Sequence, residues 1–213
     1  GQSTEFLEPG QPVLPEEFLA FKAKLVQLTN EAEVVTFNGS VPKGISAENY
    51  KELIEETMAA GVPCIVDASG ALLTSCIDAL PTMIKPNTDE IGQLLGREVT
   101  TEDEVIKAAQ ELHKRGIKIV VVSLGAKGAL MVSDEGTFRA NPPKIEAINP
   151  VGAGDTLVGS FAVALAQQKP TSECLTFALS CATASCLSAG TGRFDQDVAT
   201  KIQKQVTIKK IAE

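Results

Sequence analysis

Short runs of apolar and β-branched residues alternate along this chain with longer stretches whose apolar positions recur at helical spacing. Glu33 to Phe37, Cys64 to Asp67, Met83 to Lys85 and Ile117 to Ser123 read as strands, and Ala47 to Ala60, Leu72 to Leu80, Glu90 to Leu95 and Glu102 to Arg115 as the intervening helices. That rhythm predicts an α/β fold with a mainly parallel sheet. The run Ile117-Lys118-Ile119-Val120-Val121-Val122 is almost continuously β-branched, as a central strand covered on both faces requires. Beyond Gly125-Ala126-Lys127-Gly128 the pattern changes. Ala129 to Val132, the turn Asp134-Glu135-Gly136 and Thr137 to Arg139 predict an antiparallel ribbon. An apolar, small-residue helix follows Pro150 and runs through Leu157 to Ala166, and helices over Glu173 to Leu187 and Gln196 to Lys204 close the chain. Gly1 to Pro15, with three prolines, reads as irregular and leads into a helix over Glu16 to Leu28. No repeat, low-complexity tract or linker interrupts the pattern, so residues 1–213 are expected to form a single α/β domain.

Composition narrows the chemistry. The chain is 44% hydrophobic but only 4% aromatic, so its core is aliphatic and filled by small residues. Nineteen basic against twenty-seven acidic side chains leave a net charge of −8, and no basic block interleaved with aromatics is present, which argues against a nucleic-acid partner. The most apolar stretch, after Pro150, is broken by Asp155 and glycines, which argues against a membrane partner, and no signal peptide opens the chain; a cytoplasmic location is expected. The five cysteines, scattered among apolar neighbours, read as reduced core thiols. His113, the only histidine, falls in a charged helical pattern and is expected on a solvated face, which removes Ser-His-Asp and Cys-His mechanisms.

The strongest chemical signal is Asn149-Pro150-Val151-Gly152-Ala153-Gly154-Asp155-Thr156. Pro150 stops helical propagation from upstream, and the glycines fall at the start of the apolar helix, where N–H groups lack partners and the macrodipole is positive. A phosphate can approach closely there, with Asp155 one step inside the anion site. The same residues also suit a ligand-free helix start, since an acidic residue in a first turn is favourable by itself. Ligands of open α/β sheets bind beyond the carboxyl ends of the strands. The loops after the strands are accordingly polar: Asn38-Gly39-Ser40-Val41-Pro42-Lys43-Gly44, Asp67-Ala68-Ser69-Gly70, Lys85-Pro86-Asn87-Thr88-Asp89-Glu90 and Ser123-Leu124-Gly125-Ala126-Lys127-Gly128. Each has an ordinary reading too. Asn87 and Glu90 match a reciprocal helix cap, and the glycine pairs match turns.

The order and spacing of these segments resemble the signature set of the ribokinase-like, or PfkB, family of sugar kinases, whose resemblance runs from about Gly1 to the C-terminus. Residues Gly39 to Gly44 and Val66 to Gly70 point to the branch acting on sugar phosphates. The resemblance implies a three-layer αβα fold and transfer from ATP to a phosphorylated ketohexose, with fructose 1-phosphate as the first expectation and tagatose 6-phosphate as the alternative. It implies that Asp155 accepts the hydroxyl proton while Gly152, Ala153 and Gly154 hold the transferring phosphoryl group. Lys85, Asn87, Ser123, Gly125, Ala126, Lys127, Gly128 and Thr183 would bind the nucleotide, Asn87 and Glu90 would place Mg²⁺ largely through water, and Asn38, Gly39, Ser40 and Lys43 would meet the sugar phosphate. Residues Leu187 to Arg193, with the carbonyls of Asn149 and Val151, resemble the region that holds a monovalent cation (K⁺) in some members. Such kinases carry an N-terminal glycine-rich sugar-binding motif and a β-sheet lid; nothing in Gly1 to Asn30 matches these, so the lid segment is expected to be absent, and a homodimer is expected only of the complete protein. A nucleotide-binding module without catalysis is the competing expectation. A dinucleotide-dependent oxidoreductase fits less well, because its glycine fingerprint would follow an early strand.

Overall fold

The computed structural model describes residues 10–212. The part of the irregular N-terminal stretch before Gly10 lies outside the described residues. Helix α1, Pro15–Thr29, begins with proline at its first position, where the missing N–H costs nothing. Strands β1 (Val35–Asn38), β2 (Cys64–Asp67), β3 (Met83–Ile84) and β4 (Ile119–Ser123) alternate with helices α2 (Ala47–Ala59), α3 (Gly70–Ile77), and then α4 (Thr88–Leu95) with α5 (Glu102–Lys114). A single 3-10 turn, Gly125–Lys127, leads into β5 (Ala129–Ser133) and β6 (Gly136–Asn141). Helices α6 (Ala153–Ala166), α7 (Thr171–Ser185) and α8 (Gln196–Gln203) follow, and strand β7 (Thr207–Ala212) closes the fold.

All seven described strands lie in one sheet in sequential order. The pairs from β1 to β4 are parallel and those from β4 to β7 antiparallel, so the sheet is mixed where the sequence predicted a mainly parallel one. The reason is local. Up to β4 each return needs a crossover helix, whereas β4, β5 and β6 are joined by tight turns that can only reverse direction. Strand β7 escaped the sequence reading because Thr207-Ile208-Lys209-Lys210-Ile211 has no buried face to impose alternation; all five residues are exposed.

Alternation along the strands separates two cores. Phe37, Cys64, Val66, Ile84, Val120 and Val122 face helices α1 to α5, while Ile65, Met83, Ile119 and Val121 face α6 and α7. Successive right-handed crossovers in one direction put every early helix on one face. The other face is left for the apolar α6 and α7, giving the expected three-layer αβα arrangement. Small residues let these two helices approach: Ala164, Ala178 and Ala182 are buried there beside Phe161. His113 is not on a freely solvated face. Its Nδ1 lies 2.8 Å from the Ile117 carbonyl oxygen and its Nε2 3.4 Å from Asp134. The cysteines are all unpaired, as expected, and burial pushes the Cys64 and Cys76 thiols up to about 12. Among the described residues no helix is long and apolar enough to cross a membrane.

Candidate active site

The carboxyl ends of four parallel strands meet on one edge. Asn38 is in register with Asp67, the Lys85 N–H donates to the Val66 carbonyl at 3.1 Å, and Asn87 bridges Ser123. Pro86 interrupts the β3 ladder because it has no N–H, yet its carbonyl still accepts from Ser123 at 3.0 Å. Lys85 is thereby fixed between two stretches of pairing, with its side chain only 9% exposed, and its ammonium lies 3.1 Å from Asp67.

Helix α6 brings the anion site to this edge from the opposite layer. Its N-cap, Gly152, has φ +82°, and a Cβ there would lie 2.6 Å from the Thr191 methyl, so glycine is required both by backbone and by space. The Thr156 N–H returns to the Gly152 carbonyl at 2.9 Å and the Thr156 hydroxyl at 2.8 Å. Among the described residues the N–H groups of Gly152, Gly154 and Asp155 have no acceptor, while that of Ala153 is turned to the Pro150 carbonyl at 3.2 Å. The free donors therefore include Gly152 and Gly154 of the expected set, with Asp155 in place of Ala153. A Cβ on Gly154 would stand 3.6 Å from Lys85 Nζ, which places the ammonium against the positive end of the helix.

The electrostatics are unequal. Burial lifts the Asp67 carboxyl above the usual carboxylate range, the Lys85 ammonium pulls it partly back, and Asp155 and Glu90 raise it again. Asp67 thus feels two further carboxylates as well as one ammonium. Such a cluster needs further positive charge before it accepts a polyphosphate. Asn87 and Glu90 form the reciprocal cap of α4, Asn87 N–H to Glu90 Oε2 at 2.8 Å and Glu90 N–H to Asn87 Oδ1 at 2.9 Å, which leaves Glu90 Oε1 unused by the cap. Among the described residues no three His, Cys, Asp or Glu side chains form a ready-made metal cage.

A cavity of about 540 Å³ opens beside the α6 N-terminus. Lys85, Ser123, Gly125, Ala126, Gly128, Ala153, Gly154 and Thr183, all singled out in the sequence, line it. Leu179, Ala182 and Cys186, neighbours of Thr183 on the penultimate helix, line it too, and Pro142, Pro143 and Ile145, not singled out in the sequence, join them from the segment after β6. Thr183 is buried and its hydroxyl donates to the Leu179 carbonyl at 2.7 Å, so it presents mainly apolar surface. Lys127 and Asn87 instead line a neighbouring cleft of about 340 Å³ on the other side of the loop after β4. Asn38, Gly39, Ser40 and Lys43 sit exposed at the end of β1; the Gly39 N–H donates to the Asp67 carbonyl at 2.8 Å, but none of the four lines the larger cavity. The loop around Leu187 to Arg193 does reach the Gly152 turn. Asn149 Nδ2 donates to the Ala189 carbonyl at 3.1 Å, and the N–H groups of Ile148 and Asn149 donate to the Cys186 carbonyl. The residue missed by the sequence reading is Asp67, which stood in a loop already noted but had no visible link to Lys85 eighteen positions later.

Residues 3–197 match the model of the pfkB family carbohydrate kinases. Tagatose-6-phosphate kinase of Staphylococcus epidermidis is 34% identical over 211 residues, 98% of this chain and 68% of the relative. ATP-dependent 6-phosphofructokinase isozyme 2 of Escherichia coli is 35% identical over 205 residues, 95% of this chain and 66% of the relative. The crystal structure of Escherichia coli phosphofructokinase-2 in complex with potassium superposes with a TM-score of 0.89 at 34% identity, covering 96% of this chain and 67% of that one. The chain thus spans about two thirds of the length of these relatives. Matching over nearly its whole length in both sequence and fold, it belongs to the pfkB family of carbohydrate kinases.

Proposed function

We propose that this chain supplies the nucleotide-binding and phosphoryl-transfer part of an ATP-dependent sugar-phosphate kinase. The observation that carries the reading is that Gly154, with its unpaired N–H, and Lys85 line one apolar-walled cavity side by side, while the unpaired N–H groups of Gly152 and Asp155 belong to the same first turn of α6. Phosphoryl transfer needs an in-line nucleophile and fixed positive potential more than covalent help from the protein. Asp155 accepts the proton of the attacking sugar hydroxyl as its oxygen bonds the γ-phosphorus and the bond to the ADP oxygen breaks. The free N–H groups and Lys85 receive the phosphoryl oxygens, and Asp67 holds Lys85 in place. The purine would occupy the slot between Pro142, Ile145, Leu179 and Ala182. Asn87 and the free oxygen of Glu90 would hold Mg²⁺ through water, a fit supported by oxygen donors at the start of α4 and by the Asp155 and Glu90 charges that act on Asp67. The metal supplies charge neutralisation of the phosphates. A potassium ion in the loop that touches Gly152 would brace the anion site, as the potassium complex of the Escherichia coli relative suggests.

For the acceptor, the relatives at 34 and 35% identity are named for tagatose 6-phosphate and as a 6-phosphofructokinase. They favour a ketohexose 6-phosphate over the fructose 1-phosphate expected from the sequence. The test is ADP release with tagatose 6-phosphate, fructose 6-phosphate and fructose 1-phosphate, measured on the chain alone and on the chain completed with the part of the Staphylococcus relative that it leaves unmatched. Turnover with a 6-phosphate is expected, and Asp155→Asn should lower it by about 10²–10⁴-fold, the usual contribution of a placed base. No turnover with any of the three by the completed chain would sink the reading. A second reading, nucleotide binding without transfer, is favoured by the exposure of Asn38, Gly39, Ser40 and Lys43. ATP binding without ADP release by either form would select it.

A further inference from the structure

The loop after β4 is held from behind by a residue that touches no part of the cavity. Arg139, on β6, has a side chain only 12% exposed. Its Nη2 donates to the Lys127 carbonyl at 2.9 Å, its Nη1 to the carbonyls of Ala140 at 2.7 Å and Ala129 at 3.2 Å, and its Nε meets Glu102 at 3.2 Å. Asn141 Nδ2 also donates to the Lys127 carbonyl, at 3.3 Å. Gly128 allows this contact, since a Cβ there would lie 2.2 Å from the Ala140 carbonyl oxygen.

Peptide planarity carries the constraint forward. The Lys127–Gly128 peptide has its C=O aimed at Arg139, so its N–H points the opposite way, and it donates to the Gly125 carbonyl at 2.9 Å. That bond turns the Gly125–Ala126 peptide, so the Ala126 N–H faces away from the turn. The Lys127 N–H does the same to the Leu124–Gly125 peptide by donating to the Leu124 carbonyl at 3.2 Å, which turns the Gly125 N–H outward. Among the described residues the N–H groups of Gly125 and Ala126 have no acceptor, and both residues line the cavity. A lone 3-10 turn has too few bonds of its own to hold such a geometry. Charge-assisted hydrogen bonds from a planar guanidinium are stronger and directionally fixed.

We infer that Arg139 is a positioning residue for nucleotide phosphate: acting through the Lys127 carbonyl, it aims the two free N–H groups of Gly125 and Ala126 at an anionic ligand in the cavity. The inference rests on the nucleotide-site reading above. The experiment is calorimetric titration of the 213-residue chain, wild type, Arg139→Met and Arg139→Lys, with ATP, ADP and adenosine, alongside thermal melting of each. Arg139→Met is expected to weaken ATP and ADP by about 10-fold, the size of one charge-assisted hydrogen bond, while adenosine changes less than about 2-fold, and Arg139→Lys should recover part of the phosphate-dependent loss. A merely structural role would weaken all three ligands together or lower the melting temperature with no ligand preference. Either pattern, or unchanged ATP affinity in Arg139→Met, overturns the inference and leaves the nucleotide site standing. If the wild-type chain binds neither ATP nor adenosine, both fall. Should Arg139→Met fail to fold, Asn141→Ala, which removes the second donor to the same carbonyl, is expected to give a smaller loss with the same phosphate dependence, and an equal loss for adenosine overturns the inference.

Discussion

Gly152 shows how one residue can be demanded twice. Its φ of +82° suits only glycine without strain, and the Thr191 methyl occupies the space a Cβ would need. Gly152→Ala is therefore expected to lower stability by about 1–2 kcal/mol from the left-handed backbone alone, with a further loss of ATP affinity as the turn shifts; a urea titration with and without ATP separates the two. Cys186 offers a second residue-scale check. Unlike the other four cysteines it is half-buried rather than buried, and it lines the cavity. Burial holds its thiol above the ordinary range, as it does for Cys174 at about 11. Alkylation followed by mass spectrometry at pH 8 is expected to modify Cys186 first, with ATP slowing it. Modification of Cys64 or Cys76 ahead of it would contradict the placement. At this scale the sequence displayed Asp155 and its glycines plainly, because their spacing is contiguous, but it hid Asp67, whose partner is distant in the chain.

Among the elements, α5 carries a cap that can be tested by pH. The Glu104 carboxylate accepts from the N–H groups of Thr100 and Thr101, both at 2.9 Å, and from the Thr100 hydroxyl at 3.1 Å. These bonds, the Thr100 N–H first, pull its pKa from 4.5 down to about 2. A carboxyl held lower in the folded state than in the unfolded one stabilises the fold above the unfolded value, and the contribution is lost as pH falls through the folded value. Glu104→Gln should therefore flatten the fall in melting temperature between about pH 4.5 and pH 2; an unchanged slope would exclude the cap as its source. Helix α6 depends instead on apolar packing. Phe161, fully buried between α6 and the sheet, is expected to cost about 3–5 kcal/mol when replaced by alanine, measured by urea unfolding. Element types from β1 to α7 were legible because burial on defined faces imposes periodicity. Several ends were legible too, both ends of β2 among them, but β7 was not, since an exposed edge strand carries no such pattern.

For the whole molecule, the surface around α1 is unusual. Leu19, Phe21, Val26 and Leu28 on α1 are all exposed, on both flanks of the face that packs Phe18 inward. Beside it, β1 pairs only with β2 among the described residues. A helix apolar over so wide an arc, next to an open sheet edge, favours self-association of the chain when it stands alone. The double variant Leu19→Glu, Phe21→Lys is expected to shift sedimentation toward the monomer. An unchanged distribution would place any association elsewhere.

The sequence by itself determined the alternating layers, the family, and the placing of Gly152, Gly154 and Asp155 at a helix start and of Lys85 at a strand end, because hydrophobic period and contiguous turn residues are local properties. Only the tertiary structure decided that α6 crosses from the opposite layer to set its free N–H groups beside Lys85, and that Asp67 pairs with that lysine. It also decided that Lys127 faces away from the cavity while Arg139 braces the loop from behind. Those outcomes depend on which strand ends share an edge and which peptide planes are turned, and neither is written in any one stretch of chain.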